Sequence, residues 1–174
     1  DIPTPIASAD YSDYPTIDYT IENQVTGHGT HVTGCAVGRG IQSDGKYKGM
    51  ASGADLVSLK IGNDSTGGTS AGAISAAMEA AASIYDVDII TMSYGGIGTY
   101  NDGSEQECQA VDYAFNQGAL VFISAGNEAN DNLHYSGTVT ACSQTDYIEV
   151  NVSNTNHASL AFLLNWFDGF DGTD

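Results

Sequence analysis

Three short apolar runs set the frame of this chain: 55–61 (DLVSLKI), 88–93 (DIITMS) and 119–124 (ALVFIS). Each has the length and apolar character of a buried strand. Between them lie stretches of helical period. Residues 70–85 are Ala-rich, with Ser70 placed as an N-cap. Residues 104–117 put Val111, Ala114 and Phe115 on one face, and Gly118 marks the C-terminal stop. A further segment, 28–38, is rich in Gly, Ala and Val, as a tightly packed helix requires. Continuous apolar strands alternating with helices predict an α/β fold. The expected architecture is one parallel sheet holding the three strands, with helices on both faces, in three layers.

The flanking regions read differently. Residues 1–27 are polar, sustain no period and predict an irregular segment. Loops are expected at 38–53, which holds Gly38, Gly40, Gly45 and Gly49, and at 62–69 (GNDSTGGT). After Gly126 the pattern breaks. Residues 138–140, 147–152 and 160–164 predict antiparallel strands with alternating faces. The chain therefore divides into an α/β portion, 1–131, and a β-rich portion, 132–174, with no flexible linker between them.

Composition narrows the function classes. Twenty-two acidic residues against 4 basic ones give a formal net charge of -18. Such a surface repels phosphate backbones and anionic bilayers, so neither nucleic acid nor membrane is an expected partner. The acidic residues are scattered through loops, as on a solubilising surface. No apolar run approaches the roughly 18–20 residues that span a bilayer. No basic, apolar leader opens the sequence, so a signal peptide is not expected within it. Of the three cysteines, Cys35 sits among small and apolar neighbours and is expected to be buried, whereas Cys108 and Cys142 could form a disulfide.

Three motifs carry candidate chemistry. The first is GHGTHVTG at 27–34: His28 and His31, spaced i and i+3, followed by small residues that let a helix bury deeply and hold an imidazole at its start. A metal site would need a third ligand and usually a HExxH-type carboxylate, which is missing. The second is SAGNE at 124–128, directly after a buried strand, where α/β proteins place their sites. There Asn127 can donate a side-chain N–H into a cleft. The third is MSYGG at 92–96, whose glycines let a peptide approach the backbone.

Together these motifs resemble the subtilisin-like serine proteases, the subtilases. HGTHVTG is similar to that family's block around the catalytic histidine. KGMASGADLVSLKI is similar to the block that follows, with Ser52 where proline is usual. DIITMSYGG resembles the strand and glycine pair lining the substrate cleft, and ALVFISAGNEA the strand ending in the oxyanion-hole asparagine. The four blocks occur in the family's order over residues 27–130. The resemblance implies that His28 is the general base and Asn127 the oxyanion donor. It assigns Ser93, Tyr94, Gly95 and Gly96, with Ser124, Ala125 and Gly126, to the walls of the pocket for the residue before the scissile bond, and an extended substrate would add backbone hydrogen bonds along 93–95. His31 takes the family's structural histidine position. The implied partner is a peptide or protein substrate, and the implied location is extracellular. No cofactor is expected beyond a structural calcium, for which no acidic cluster names the ligands.

Two family motifs have no counterpart here. No strand-end D-[ST]-G precedes His28: Asp1, Asp10, Asp13 and Asp18 follow no apolar strand in the sequence pattern. No G-T-S-M-A-x-P follows, and the final Gly172-Thr173-Asp174 is only its coincidental start. By resemblance, the triad aspartate and serine are expected outside these 174 residues. The fragment alone is then expected to be inactive, and residues 132–174 resemble the start of an insertion within the catalytic domain. The competing class is a pseudoprotease or protein-binding module that keeps the fold without the chemistry.

Overall fold

Four strands and three helices build the α/β portion in the computed structural model, which describes residues 1–18, 27–96 and 102–127. In chain order they are β1 (Ala7–Asp10), α1 (His28–Val37), β2 (Val57–Lys60), α2 (Ala71–Ser83), β3 (Ile89–Met92), α3 (Gln106–Asn116) and β4 (Leu120–Ile123). The chain divides into two units, Asp1–Ser124 and Ala125–Asp174. Every element named here belongs to the first. The strands expected at 138–140, 147–152 and 160–164 lie outside the described residues.

Local chemistry accounts for the helix ends. Ser70 caps α2 as its sequence position implied: its Oγ accepts from the Ala73 amide at 3.2 Å, satisfying one orphan donor of the first turn. After α3, Gly118 takes a φ of 102° that side-chain-bearing residues rarely adopt, and this reverses the chain into β4.

The strands are parallel, but they pair two by two. β1 lies against β2 with Ala7 opposite Val57 and Asp10 opposite Lys60. β3 lies against β4 with Ile89 opposite Leu120 and Met92 opposite Ile123. Two expectations are corrected here. First, β1 was not foreseen: its four residues, ASAD, contain no β-branched or aromatic side chain. Pairing with β2 makes it a strand, against its own propensity. Second, β2 and β3 are not neighbours in one hydrogen-bonded sheet; among the described residues they belong to two separate pairs. Apolar runs identify strands, but the pairing of their edges is decided by backbone groups that a sequence pattern does not distinguish.

Helix α2 joins the two pairs. One of its faces carries Ala73, Ala77 and Ala80, buried against Ala9 and Tyr11 with Leu59 and Ile61 beside them. Its next face carries Ile74 and Met78, buried with Ala110 of α3 against Met92, Tyr94 and Val121. Ala82 continues this seam with Ala114 and Ala119. Alanines at these contacts let α2, α3 and the strands approach closely. Helix α1 departs from its expected deep burial: Val37 is its buried residue, and a Cβ built on Gly34 would meet nothing within 4 Å.

A buried ion pair sits where β1 and β2 end. Lys60 Nζ donates to Asp10 Oδ2, to Ser12 Oγ at 3.0 Å, and lies 3.0 Å from Asp64 Oδ1. The side chains of Lys60 and Asp10 are only 11% and 7% exposed. Burial pushes the Asp10 carboxyl up, but the bonds from Lys60 and Ser12 outweigh it and hold the group below the usual carboxylate range. Burial likewise pushes Lys60 down, and Asp10 and Asp64 outweigh it, so its ammonium is held above the usual lysine range.

Candidate active site

His28 opens α1. Gly27 precedes it with a φ of 63°, a left-handed conformation suited to glycine, and its carbonyl accepts from the His31 amide at 3.0 Å. The turn therefore presents the His28 side chain at the free end of the helix, where it is exposed.

A cavity of about 550 Å³ lies between α1 and the ends of β3 and β4. His28, His31, Val32 and Cys35 line its helix side. Thr91, Met92, Ser93, Phe122, Ile123 and Ser124 line its strand side, and Met50 adds an apolar edge. The lining thus combines imidazoles and serine hydroxyls with apolar walls, as a peptide-binding cleft requires. Phe122 and Met50 are 57% and 95% exposed, so these apolar parts of the wall are open to solvent.

Of the residues singled out from sequence, His28, Ser93 and Ser124 meet at this cavity. His31 lines it as well. Gly95 and Gly96 continue from Ser93 and are exposed. Tyr94 behaves differently from its neighbours: its ring packs against the buried Ile74, Met78 and Ala110, and its hydroxyl donates to the Gly67 carbonyl at 2.9 Å. The cavity lining ends at Ser124, the last residue of the first unit. Ala125, Gly126 and Asn127 open the second unit, and all three are exposed. Gly126 has a φ of 88°, a turn conformation that favours glycine.

Three features differ from the sequence reading. Cys35 is exposed rather than buried, because α1 does not press its face onto the strands. Cys108 is exposed; Cys142, its possible disulfide partner, lies outside the described residues. Asp10 does end a strand, β1, although its pattern gave no sign of one. Its carboxylate is committed to Lys60 and to the Ser12 amide and is not part of the cavity lining. Finally, Met50 and Phe122 join the cleft wall unforeseen, because which apolar residues reach the cleft depends on how the loop holding Met50 and β4 come together. Among the described residues no group of three or more His, Cys, Asp or Glu side chains could hold a metal ion.

Comparison with known proteins gives a consistent picture. The subtilase family profile (peptidase S8) matches residues 6–161. A subtilisin from Bacillus sp. (strain TA39) is 32% identical over 151 residues, covering 84% of this chain and 35% of its own length. Thermitase from Thermoactinomyces vulgaris is 33% identical over 124 residues, covering 71% of this chain and 41% of its own. Among solved structures, sphericase superposes with a TM-score of 0.59 at 31% identity, over 74% of this chain and 39% of that one. The chain thus spans well under half the length of these relatives. With a family profile covering most of its residues and the α/β arrangement in common, the chain belongs to the subtilase family.

Proposed function

We propose that this chain is the part of a serine endopeptidase that carries the general base and the oxyanion donor, with the triad aspartate and serine supplied from outside its 174 residues. The observation that carries the reading is the meeting of His28, Ser93 and Ser124 around one cavity at the C-terminal ends of β3 and β4, where parallel α/β folds place their chemistry. The two strand pairs support the second half of it. Among the described residues, β2 and β3 each have one hydrogen-bonded neighbour, and both pack under α2. A strand from outside this chain could join the two pairs and bring a carboxylate to the same end.

In this reading His28 takes the proton from the serine hydroxyl as that oxygen attacks the scissile carbonyl. It then returns the proton to the leaving amine. The negative charge that develops on the carbonyl oxygen is met by the Asn127 side-chain N–H, a donor of use mainly in the transition state. The substrate is an extended peptide or protein running along the backbone of 93–96 and of 124–126, and the enzyme works outside the cell. Its strongly acidic surface suits neither nucleic acid nor anionic membrane.

The test uses the protein encoded by the complete reading frame, called the full protein below. It should be labelled by a fluorophosphonate probe and hydrolyse a fluorogenic peptide, and His28→Ala should abolish both. A full protein that neither reacts with the probe nor cleaves peptides would favour the binding-module reading. Fluorophosphonate-sensitive cleavage by the 174-residue chain alone would mean that the nucleophile has been misplaced.

A further inference from the structure

Tyr94 is held at both ends. Its ring is fixed in the cluster of Ile74, Met78 and Ala110, and its hydroxyl donates to Gly67 at 2.9 Å, 27 positions away in the chain. The loop that receives it is closed on itself. The Gly67 amide donates to the Asn63 carbonyl and the Asn63 amide to the Gly68 carbonyl, both at 2.9 Å. Asn63 Oδ1 accepts from the amides of Ser65 at 3.1 Å and Thr66 at 2.8 Å. A Cβ on Gly62 would stand 2.7 Å from the Gly67 carbonyl oxygen, so only glycine lets that carbonyl sit where Tyr94 meets it. At its base the loop is anchored by Lys60 to Asp64. An ordered loop after β2 is thus bonded to the residue in the middle of the segment after β3.

We infer that Tyr94 is a positioning residue for peptide cleavage: its hydroxyl, bonded to Gly67, pins the backbone of 93–96 in the form that receives an extended substrate. The inference rests on the protease reading above and extends it. The neighbours Ser93 and Gly95 are exposed, and they present the backbone groups to which a peptide would add. Glycines at 95 and 96 give this segment little stiffness of its own. Fixing Tyr94 from both sides supplies that stiffness before the substrate arrives, so less ordering entropy is lost on binding. The side chain therefore acts through the backbone and the loop, and touches no reacting atom.

The test is Tyr94→Phe in the full protein, which keeps the ring in its cluster and removes one oxygen. Hydrogen exchange of the 62–69 amides should quicken by about 5-fold, the factor that corresponds to the net worth of one hydrogen bond, while β1 and β2 exchange as before. The ratio of kcat/KM for a hexapeptide to that for a one-residue ester should fall by a similar factor, mostly through KM, because only the long substrate adds backbone hydrogen bonds along 93–95. Tyr94→Leu, which removes ring and hydroxyl, should loosen the loop no more than Phe does. Unchanged loop exchange in Tyr94→Phe, or an equal loss on both substrates, would overturn the inference. Absence of hydrolysis by the unsubstituted protein would instead overturn the protease reading, and the exchange measurement would still report whether the tether exists.

Discussion

Replacing Lys60 by methionine should be among the most costly single changes in the first unit, and the structure says how costly. The substitution removes the ammonium from Asp10, whose side chain is 7% exposed, and leaves the carboxylate with the amide of Ser12 at 2.8 Å and the Ser12 side chain. Breaking one side of a buried ion pair costs about 3–5 kcal/mol. The surviving amide bond places this case near the lower end, about 3 kcal/mol. Asp64 is 47% exposed, so Asp64→Ala should cost about 0.5 kcal/mol or less. The pH dependence follows from the two shifts. Asp10 is lowered, so its contribution is present above the unfolded value near 3.8 and is lost as pH falls through its lower folded value. Lys60 is raised, so its contribution is complete below the unfolded value near 10.5 and is lost as pH rises through its higher folded value. The cost of Lys60→Met should therefore be flat from about pH 5 to pH 10. It should begin to shrink before the pH falls to the unfolded carboxylate value near 3.8, because burial, no longer outweighed by Lys60, favours the protonated form of the stranded Asp10. Urea unfolding of the full protein at several pH values measures this. Adding Asp10→Asn to Lys60→Met should restore at least half of the loss, because it removes the unpaired charge. A loss under about 1 kcal/mol at pH 7, or an Asp64→Ala cost equal to that of Lys60→Met, would refute the reasoning.

Other expectations follow from single sites. Ser75 is 2% exposed and, among the described residues, its hydroxyl has no hydrogen-bond partner, so Ser75→Ala should raise stability by about 1 kcal/mol, read as an increased urea midpoint. Gly49 leaves no room for a side chain: a Cβ there would lie 2.6 Å from the Gly38 nitrogen and 2.7 Å from the Ala36 backbone. Gly49→Ala should accordingly cost about 1–3 kcal/mol in the same assay. In the full protein, Asn127→Ala should lower kcat about 100- to 1000-fold with a smaller change in KM; the figure is the one known for a subtilisin oxyanion donor. Cys108 has its thiol pushed up, first by burial and then by Glu105, Glu107, Asp112 and Asp102. Its alkylation by iodoacetamide at pH 8 should be slower than that of a free cysteine peptide, as followed by mass spectrometry.

What was legible in the sequence was what depends on neighbouring residues. The run LVFI marked β4, Ser70 marked the start of α2, and Gly118 marked the turn after α3. The histidine block placed His28 on the first turn of a helix, and the order of strands and helices gave the fold class. What was not legible depends on partners distant in the chain. β1 exists because Val57–Lys60 pairs with it, not because ASAD favours a strand. The burial of Asp10 and Lys60 appears only when two strand ends meet, fifty positions apart. The exposure of Cys35 depends on how closely α1 approaches the strands, which small residues permit but do not enforce. Nothing in Tyr94 or Gly67 alone announces the bond between them.

The sharing of α2 between two strand pairs bears on how the first unit folds and opens. Parallel pairs cannot form by a tight hairpin, and here Ala7 must find Val57 while Ile89 finds Leu120. Loop-closure entropy separates these two events by only about 0.4 kcal/mol, too little to impose an order. What couples them is α2, whose adjacent faces give each pair its apolar floor. Melting this helix would release both pairs at once, whereas a change confined to one face would loosen mainly the pair beneath it. Replacing Ala77 should therefore speed amide exchange first in β1 and β2, and replacing Met78 first in β3 and β4. The helix would then act as the hinge of cooperativity, making two locally separable folding units open as one.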